Sequence, residues 1–207
     1  MITVYGAPPT RAMRVIWMLE EMGLPYEINP VPFDKRFDDP EFLEASPTGA
    51  YPGMRDGDVC LMESCAMLEY LGGRYGPTPL TPTSDDARYP AYVSYLHFGE
   101  ASLSAPLNVK MATRFFAPDD QKENWGARYA IDAFVRKSAA LLIPLRRGPF
   151  MAGDDFTAAD ISCGFALGLA HFLGIEDRLD PTLREYFGRL SQRPAYQRMM
   201  SKKQPVS

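Results

Sequence analysis

A small α/β unit built on a mixed sheet, followed by an all-helical unit, is the fold class this sequence predicts. Three observations lead there. Strand and helix patterns alternate over the first third of the chain, the proline-rich stretch GPTPLTPTSDD at 76–86 interrupts both patterns, and beyond it only helical spacing remains. At 207 residues, 46% of them hydrophobic and 23% charged, the chain can bury a core in each of two units. The expected division is 1–76 for the α/β domain, 77–86 for a linker and 87–207 for the helical domain.

Ile2 to Tyr5 is a β-branched run and reads as the first strand. Gly6, Pro8 and Pro9 break it before a helix over about Thr10 to Met22, whose Met13, Ile16 and Trp17 mark an apolar side and which Gly23 stops. Tyr26 to Val31, bounded by Pro25 and Pro32, is the second strand candidate, and Asp34 to Phe42 reads as irregular with a short helix. Past the linker, Tyr89 to Phe116, Trp125 to Leu145, Ala158 to Leu173 and Pro181 to Leu190 carry helical spacing. Thr157 stands three residues before Asp160, the pattern of a capping box that starts a buried helix.

The segment YPGMRDGDVCLMESCAMLEYL, from Tyr51 to Leu71, carries the most chemistry. It reads as a proline-entered strand, an Asp56-Gly57 hairpin turn, a second strand, and a helix capped by Ser64 that ends at Gly72-Gly73. A helix start presents unpaired N–H groups and the positive end of the dipole, which suit a carboxylate. Glu63 beside it suits an ammonium group. The expected guest is a small zwitterion.

A net charge of −4 gives no reason to expect nucleic acid. The N-terminal MITVYGAPPT lacks the pattern of a signal peptide, and the apolar stretch Ile161 to Ile175 is too short to span a bilayer. Cys60, Cys65 and Cys163 are sparse and odd in number, which fits a reducing compartment and a packing role. No CxxC or HExxH motif occurs, so no metal is expected.

Taken in order, VYGAPPTRAMRVIWMLEEMGLPYE, the proline-to-Glu-Ser hairpin segment, YLHFGEASLSAPL, FTAADIS and RPAYQRM resemble the cytosolic glutathione transferase family, specifically bacterial members with a serine- or threonine-type active site. The resemblance covers nearly the whole chain. It implies a thioredoxin-like N-terminal domain, an all-helical C-terminal domain and a cytoplasmic homodimer. It further implies glutathione as co-substrate and a detoxifying transfer of its thiolate to a small hydrophobic electrophile held on the helical domain.

Residue by residue, Pro52 matches the family proline after a cis bond, with the Tyr51 backbone pairing to glutathione as to an added strand. Glu63 and Ser64 match the pair that grips the γ-glutamyl end. Thr10, followed by Arg14, matches the pattern S-x-x-x-R, where a hydroxyl donates to the glutathione sulfur. From sequence, Thr10 serves equally as a helix cap or as that donor. Tyr5 ranks second as donor.

The chain departs from the family at Ala50, where many members carry a Lys that holds the glycine carboxylate. Lys35 and Arg36 are the substitutes on offer, and weaker glutathione binding is expected. The electrophile pocket would draw on the 6–14 loop and on Tyr95, Phe98 and Leu103 to Met111. The alternatives are glutathione-dependent disulfide or peroxide reduction and a noncatalytic binding module.

Overall fold

The computed structural model describes residues 1–202 and forms two compact units, one of Met1–Thr81 with the segment from Ser191, the other of Pro82–Leu190. In the first, β1 (Ile2–Tyr5) leads through α1 (Ala12–Met22) to β2 (Tyr26–Asn29), which pairs with it in parallel. A 3-10 turn (Phe33–Lys35) and α2 (Pro40–Ala45) lead to the hairpin of β3 (Gly53–Asp56) and β4 (Val59–Leu61), then to α3 (Ser64–Tyr75). The sheet order is β2-β1-β3-β4, with β3 antiparallel to both neighbours, so the mixed thioredoxin-like sheet is formed.

Alternation along β1 sorts its side chains. Ile2 and Val4 are buried, and the core also takes Val15, Ile16, Leu19, Met54, Met67, Leu68 and Leu71. Tyr5 joins a separate cluster with Val31, Phe42 and Ala45. α1 is buried at every residue from Ala12 to Leu19 and touches β1 and α3.

Two local details differ from expectation. The hairpin turn is Gly57–Asp58, because Asp56 pairs with Val59; φ is positive at Gly57 (60°) alone of the two, the pattern of a type II′ turn. Asp56 is needed elsewhere, accepting hydrogen bonds from Tyr70 at 3.0 Å and Tyr75 at 2.6 Å of α3. α3 also runs through Gly72 and Gly73. A Cβ at Gly72 would fall 2.0 Å from Thr81 Oγ1, so this glycine serves close approach, not helix ending.

The second unit is helical. α4 (Tyr89–Phe98) passes into a π-helical segment (Gly99–Ser104) and on into α5 (Ala105–Phe116). The widened turn precedes Pro106, which has no N–H to give the helix, and Ser104 Oγ donates to Gly99 O at 2.8 Å within it. α6 (Trp125–Ser138), the short α7 (Leu142–Leu145), α8 (Ala158–Phe172) and α9 (Pro181–Ser191) follow. Asp160 closes the expected capping box on Thr157 N–H at 2.8 Å.

α10 (Pro194–Ser201) belongs with the first unit, packing on α1, whereas the sequence assigned everything after 86 to the helical domain. Arg193 meets Glu21 through two hydrogen bonds of 2.6 and 2.9 Å, Arg198 meets Glu20 at 2.6 Å, and Trp17 packs edge-on against Tyr196. Among the described residues, no helix is long and apolar enough to cross a membrane.

Candidate functional site

Four stretches of the first unit supply the candidate residues: the end of β1, the loop into α1, the entry to β3 and the start of α3. Tyr5 pairs with Gly53 across the sheet, and Gly6 packs so closely that a Cβ there would lie 2.9 Å from the Tyr51 ring. Arg14 of α1 donates to Ser64 Oγ of α3 at 3.3 Å. Sheet pairing and one buried polar contact therefore join segments far apart in sequence.

Glu63 holds the N-cap position of α3, and Ser64 is its first helical residue, a shift of one from the expected cap. Ser64 Oγ accepts from Arg14 Nη1, and the residue is buried. Glu63 is exposed, with φ 69° and ψ 107°, and is the one non-glycine among the described residues with positive φ. Holding such a backbone costs about 1–3 kcal/mol, a cost that recurs at ligand-binding positions.

Thr10 lies one residue before the α1 cap, which is Arg11. Its hydroxyl donates to Ala7 O at 2.8 Å and accepts from Ala12 N–H at 3.2 Å. It therefore does satisfy a helix N–H, and its proton currently rests on a carbonyl. Tyr5 is 2% exposed and packs in the cluster with Phe42.

Pro52 follows a cis bond from Tyr51 and is buried. Tyr51 stacks on Phe42 at 5.2 Å and donates its phenolic proton to Val31 O at 2.8 Å. Burial raises its pKa, so it keeps that proton at neutral pH. Ala50 is exposed and its carbonyl accepts from Ser46 Oγ at 2.7 Å. Of the offered substitutes for lysine, Lys35 is exposed, while Arg36 lies over the Phe33 and Phe37 rings at 3.7 and 4.5 Å from their centroids.

In the second unit, Leu103 and Leu107 are buried in the core, and the half-buried Tyr95 donates to Ala140 O at 3.3 Å. Cys65 and Cys163 are buried, and Cys163 Sγ donates to Tyr95 O at 3.3 Å, consistent with packing. Arg14 is visible in the sequence only as part of a pattern. A signal is present all the same: it is a full charge within the otherwise apolar stretch Ala12 to Leu19.

The model of the glutathione S-transferase N-terminal domain matches residues 1–73. The chain is 30% identical over 206 residues to a zeta class glutathione S-transferase of Euphorbia esula, covering 95% of this chain and 88% of that protein. It is 29% identical over 216 residues to glutathione S-transferase 3 of Schizosaccharomyces pombe, covering 94% and 85%. The crystal structure of a glutathione transferase family member from Pseudomonas fluorescens, with two glutathione bound, is similar with a TM-score of 0.83 at 26% identity, covering 96% and 92%. On the strength of the full-length relatives and the matched N-terminal domain, this chain belongs to the glutathione S-transferase family.

Proposed function

We propose that the protein binds glutathione along Tyr51-Pro52 and Glu63-Ser64 and transfers its thiolate to a small hydrophobic electrophile. The observation that carries this reading is the junction at Glu63–Ser64. An exposed carboxylate in a costly backbone conformation stands directly before the N–H groups that open α3. That arrangement complements the amine and carboxylate of a γ-glutamyl group, and a solved relative carries glutathione.

Thr10 is the proposed sulfur donor. A free thiol has a pKa near 8.5, so few thiols ionise at neutral pH. The Thr10 proton now bonds a neutral carbonyl, Ala7 O, a contact of about 1 kcal/mol. A bond to thiolate contributes about 1.5–3 kcal/mol, so turning the proton to sulfur is favourable by roughly 0.5–2 kcal/mol. At about 1.4 kcal/mol per unit, the thiol pKa falls by up to about one and a half units. The Ala12 N–H bonded to the same oxygen polarises the hydroxyl in the same direction. Tyr5, in its buried cluster, is the weaker candidate.

A homodimer is part of this proposal. Trp125, 71% exposed and stacked on Tyr129, lines a groove of about 410 Å³ with Val109 and Pro106, an apolar face suited to burial against a second copy.

Conjugation of glutathione to an activated aryl chloride tests the reaction. Thr10→Ala is expected to lower kcat/KM by about two- to thirtyfold, and Thr10→Ser to keep most of it. Near-background rates in wild type and Thr10→Ala alike would instead identify a binding module. Activity confined to disulfide or peroxide substrates would identify a reductase.

A further inference from the structure

Leu103 and Leu107, expected to meet the electrophile, are buried in the core, so a surface for it must be sought elsewhere on the helical unit. The last turns of α5 and α8 offer one. Phe115 and Phe172 are 49% and 42% exposed, and their rings lie 19° from parallel with centroids 6.4 Å apart. The Arg114 guanidinium sits 5.3 Å from the centroid of the Phe172 ring and makes no ion pair among the described residues. A lone exposed phenylalanine needs no account, but two near-parallel rings beside such a cation do.

The rings and the charge each name a feature of the guest. Aromatic rings associate in offset parallel layers, so a flat ring extends the Phe115–Phe172 pair. An arginine carries five N–H donors in a planar fork, more than one ring contact engages, so donors remain for a carboxylate or sulfonate. Helix C-termini disfavour anions, but these two are covered. The N–H groups of Leu173, Gly174 and Ile175 bond the carbonyls of Leu169, His171 and Ala170 at 2.9 to 3.0 Å, and Ala117 N–H bonds Thr113 O at 3.3 Å. Glu176, the acid that follows α8, is engaged by His171 Nδ1 at 3.0 Å. Arg114 therefore remains the full charge that a guest meets there.

We propose that the ends of α5 and α8 select the electrophile: a flat aryl compound bearing an acidic group, its ring laid against Phe115 and Phe172 and its anion held by Arg114. This rests on the transferase reading above and narrows its substrate class. In the reaction the glutathione sulfur bonds the ring carbon, and the leaving halide departs with its bonding electron pair.

Calorimetric titration with dinitrobenzoate and dinitrobenzamide tests binding apart from chemistry, since both rings lack a leaving group and they differ in charge. Wild type is expected to prefer the benzoate about three- to fivefold at low salt, and added salt should remove much of that preference. Arg114→Met should abolish it while changing amide affinity less than about twofold. Phe172→Leu should weaken both compounds about threefold. Both positions are exposed, so the variants should fold. Equal affinities in wild type, or an Arg114→Met variant that still prefers the benzoate, overturn the proposal.

Conjugation of the chloro derivatives of the same pair separates this proposal from the transferase reading. The chlorodinitrobenzoate is expected to show the lower KM in wild type, and Arg114→Met to raise that KM alone. A wild type that binds dinitrobenzoate through Arg114 but conjugates neither chloride supports the aryl-anion site and sinks the transferase reading. A wild type that conjugates both chlorides with equal KM overturns the site and leaves the transferase reading standing.

Discussion

Tyr186 donates its phenolic proton to Asp160 Oδ1 at 2.6 Å, with both side chains excluded from solvent. The same carboxylate accepts from Met151 N–H, and from the N–H and hydroxyl of Thr157, so one acid ties α9 and the loop before α8 to the start of α8. Burial is the largest influence on its pKa and raises it, while these bonds pull it back. Tyr186→Phe removes one of them and should cost about 1.5–3 kcal/mol at neutral pH. The folded pKa rises further in the variant. Stability linked to a raised carboxyl pKa is present below the unfolded value, near 3.9, and is lost as pH rises through the folded one. Melting curves should therefore show a deficit that is small in acid and grows as pH climbs past the folded-state pKa.

Glu63→Gly should separate stability from binding. Glycine adopts positive φ without steric cost, so the variant is expected to gain up to about 1 kcal/mol of stability. Loss of the carboxylate should weaken glutathione binding about tenfold. Denaturant titration and calorimetry on the same preparation give both numbers. A gain in affinity would remove Glu63 from the site.

Ala50→Lys should tighten glutathione binding about tenfold if a lysine there reaches the glycine carboxylate. The substitution meets no packing obstacle, since Ala50 is exposed. Added salt should shrink the gain, because the new contact is an exposed ion pair. Unchanged affinity at low salt would mean that another group already holds that carboxylate.

Arg193→Ala should loosen α10, leaving the mostly buried Glu21 without a two-point partner, at about 1.5–3 kcal/mol. Acid should act on its neighbour Glu20. Partial burial raises the Glu20 pKa, but hydrogen bonds from Tyr26 and Arg198 outweigh it, and the net shift is downward. Stability from a lowered carboxyl pKa is present above the unfolded value, about 4.3, and is lost as pH falls through the folded one. Protection factors of α10 amides, taken relative to the unstructured rate at each pH, should accordingly fall below about pH 4 in wild type.

Features set by near neighbours along the chain are legible in the sequence itself. The Thr157–Asp160 box lies within one helical turn, and the β-branched run Ile2 to Tyr5 forms the strand it suggests. The hairpin is legible but its register is not, because Asp56-Gly57 and Gly57-Asp58 are both acceptable turns, and the pairing of Asp56 with Ile2 and its bonds from Tyr70 and Tyr75 lie elsewhere in the chain. The Arg14–Ser64 bond spans 50 positions, and its one local trace is a charge set between Met13 and Val15, which does not name the partner. Tyr5 looks available at a strand end, yet Phe42 on α2 covers it, a partner 37 residues away (42 − 5) that periodicity does not reveal. The return of α10 to α1 is hidden for the same reason, since helical spacing shows which side of a helix is apolar but not which element will cover it.

The placement of α10 also bears on how the chain is made. Translation delivers the sheet and α1 early, yet the segment that covers the Trp17 edge and engages Glu20 and Glu21 emerges only after the helical unit. A copy truncated between Tyr75 and Ser191 would keep the four strands of the sheet but leave an acidic, aromatic flank bare to water. Completion of the α/β half thus waits on the whole of the helical half being synthesised first.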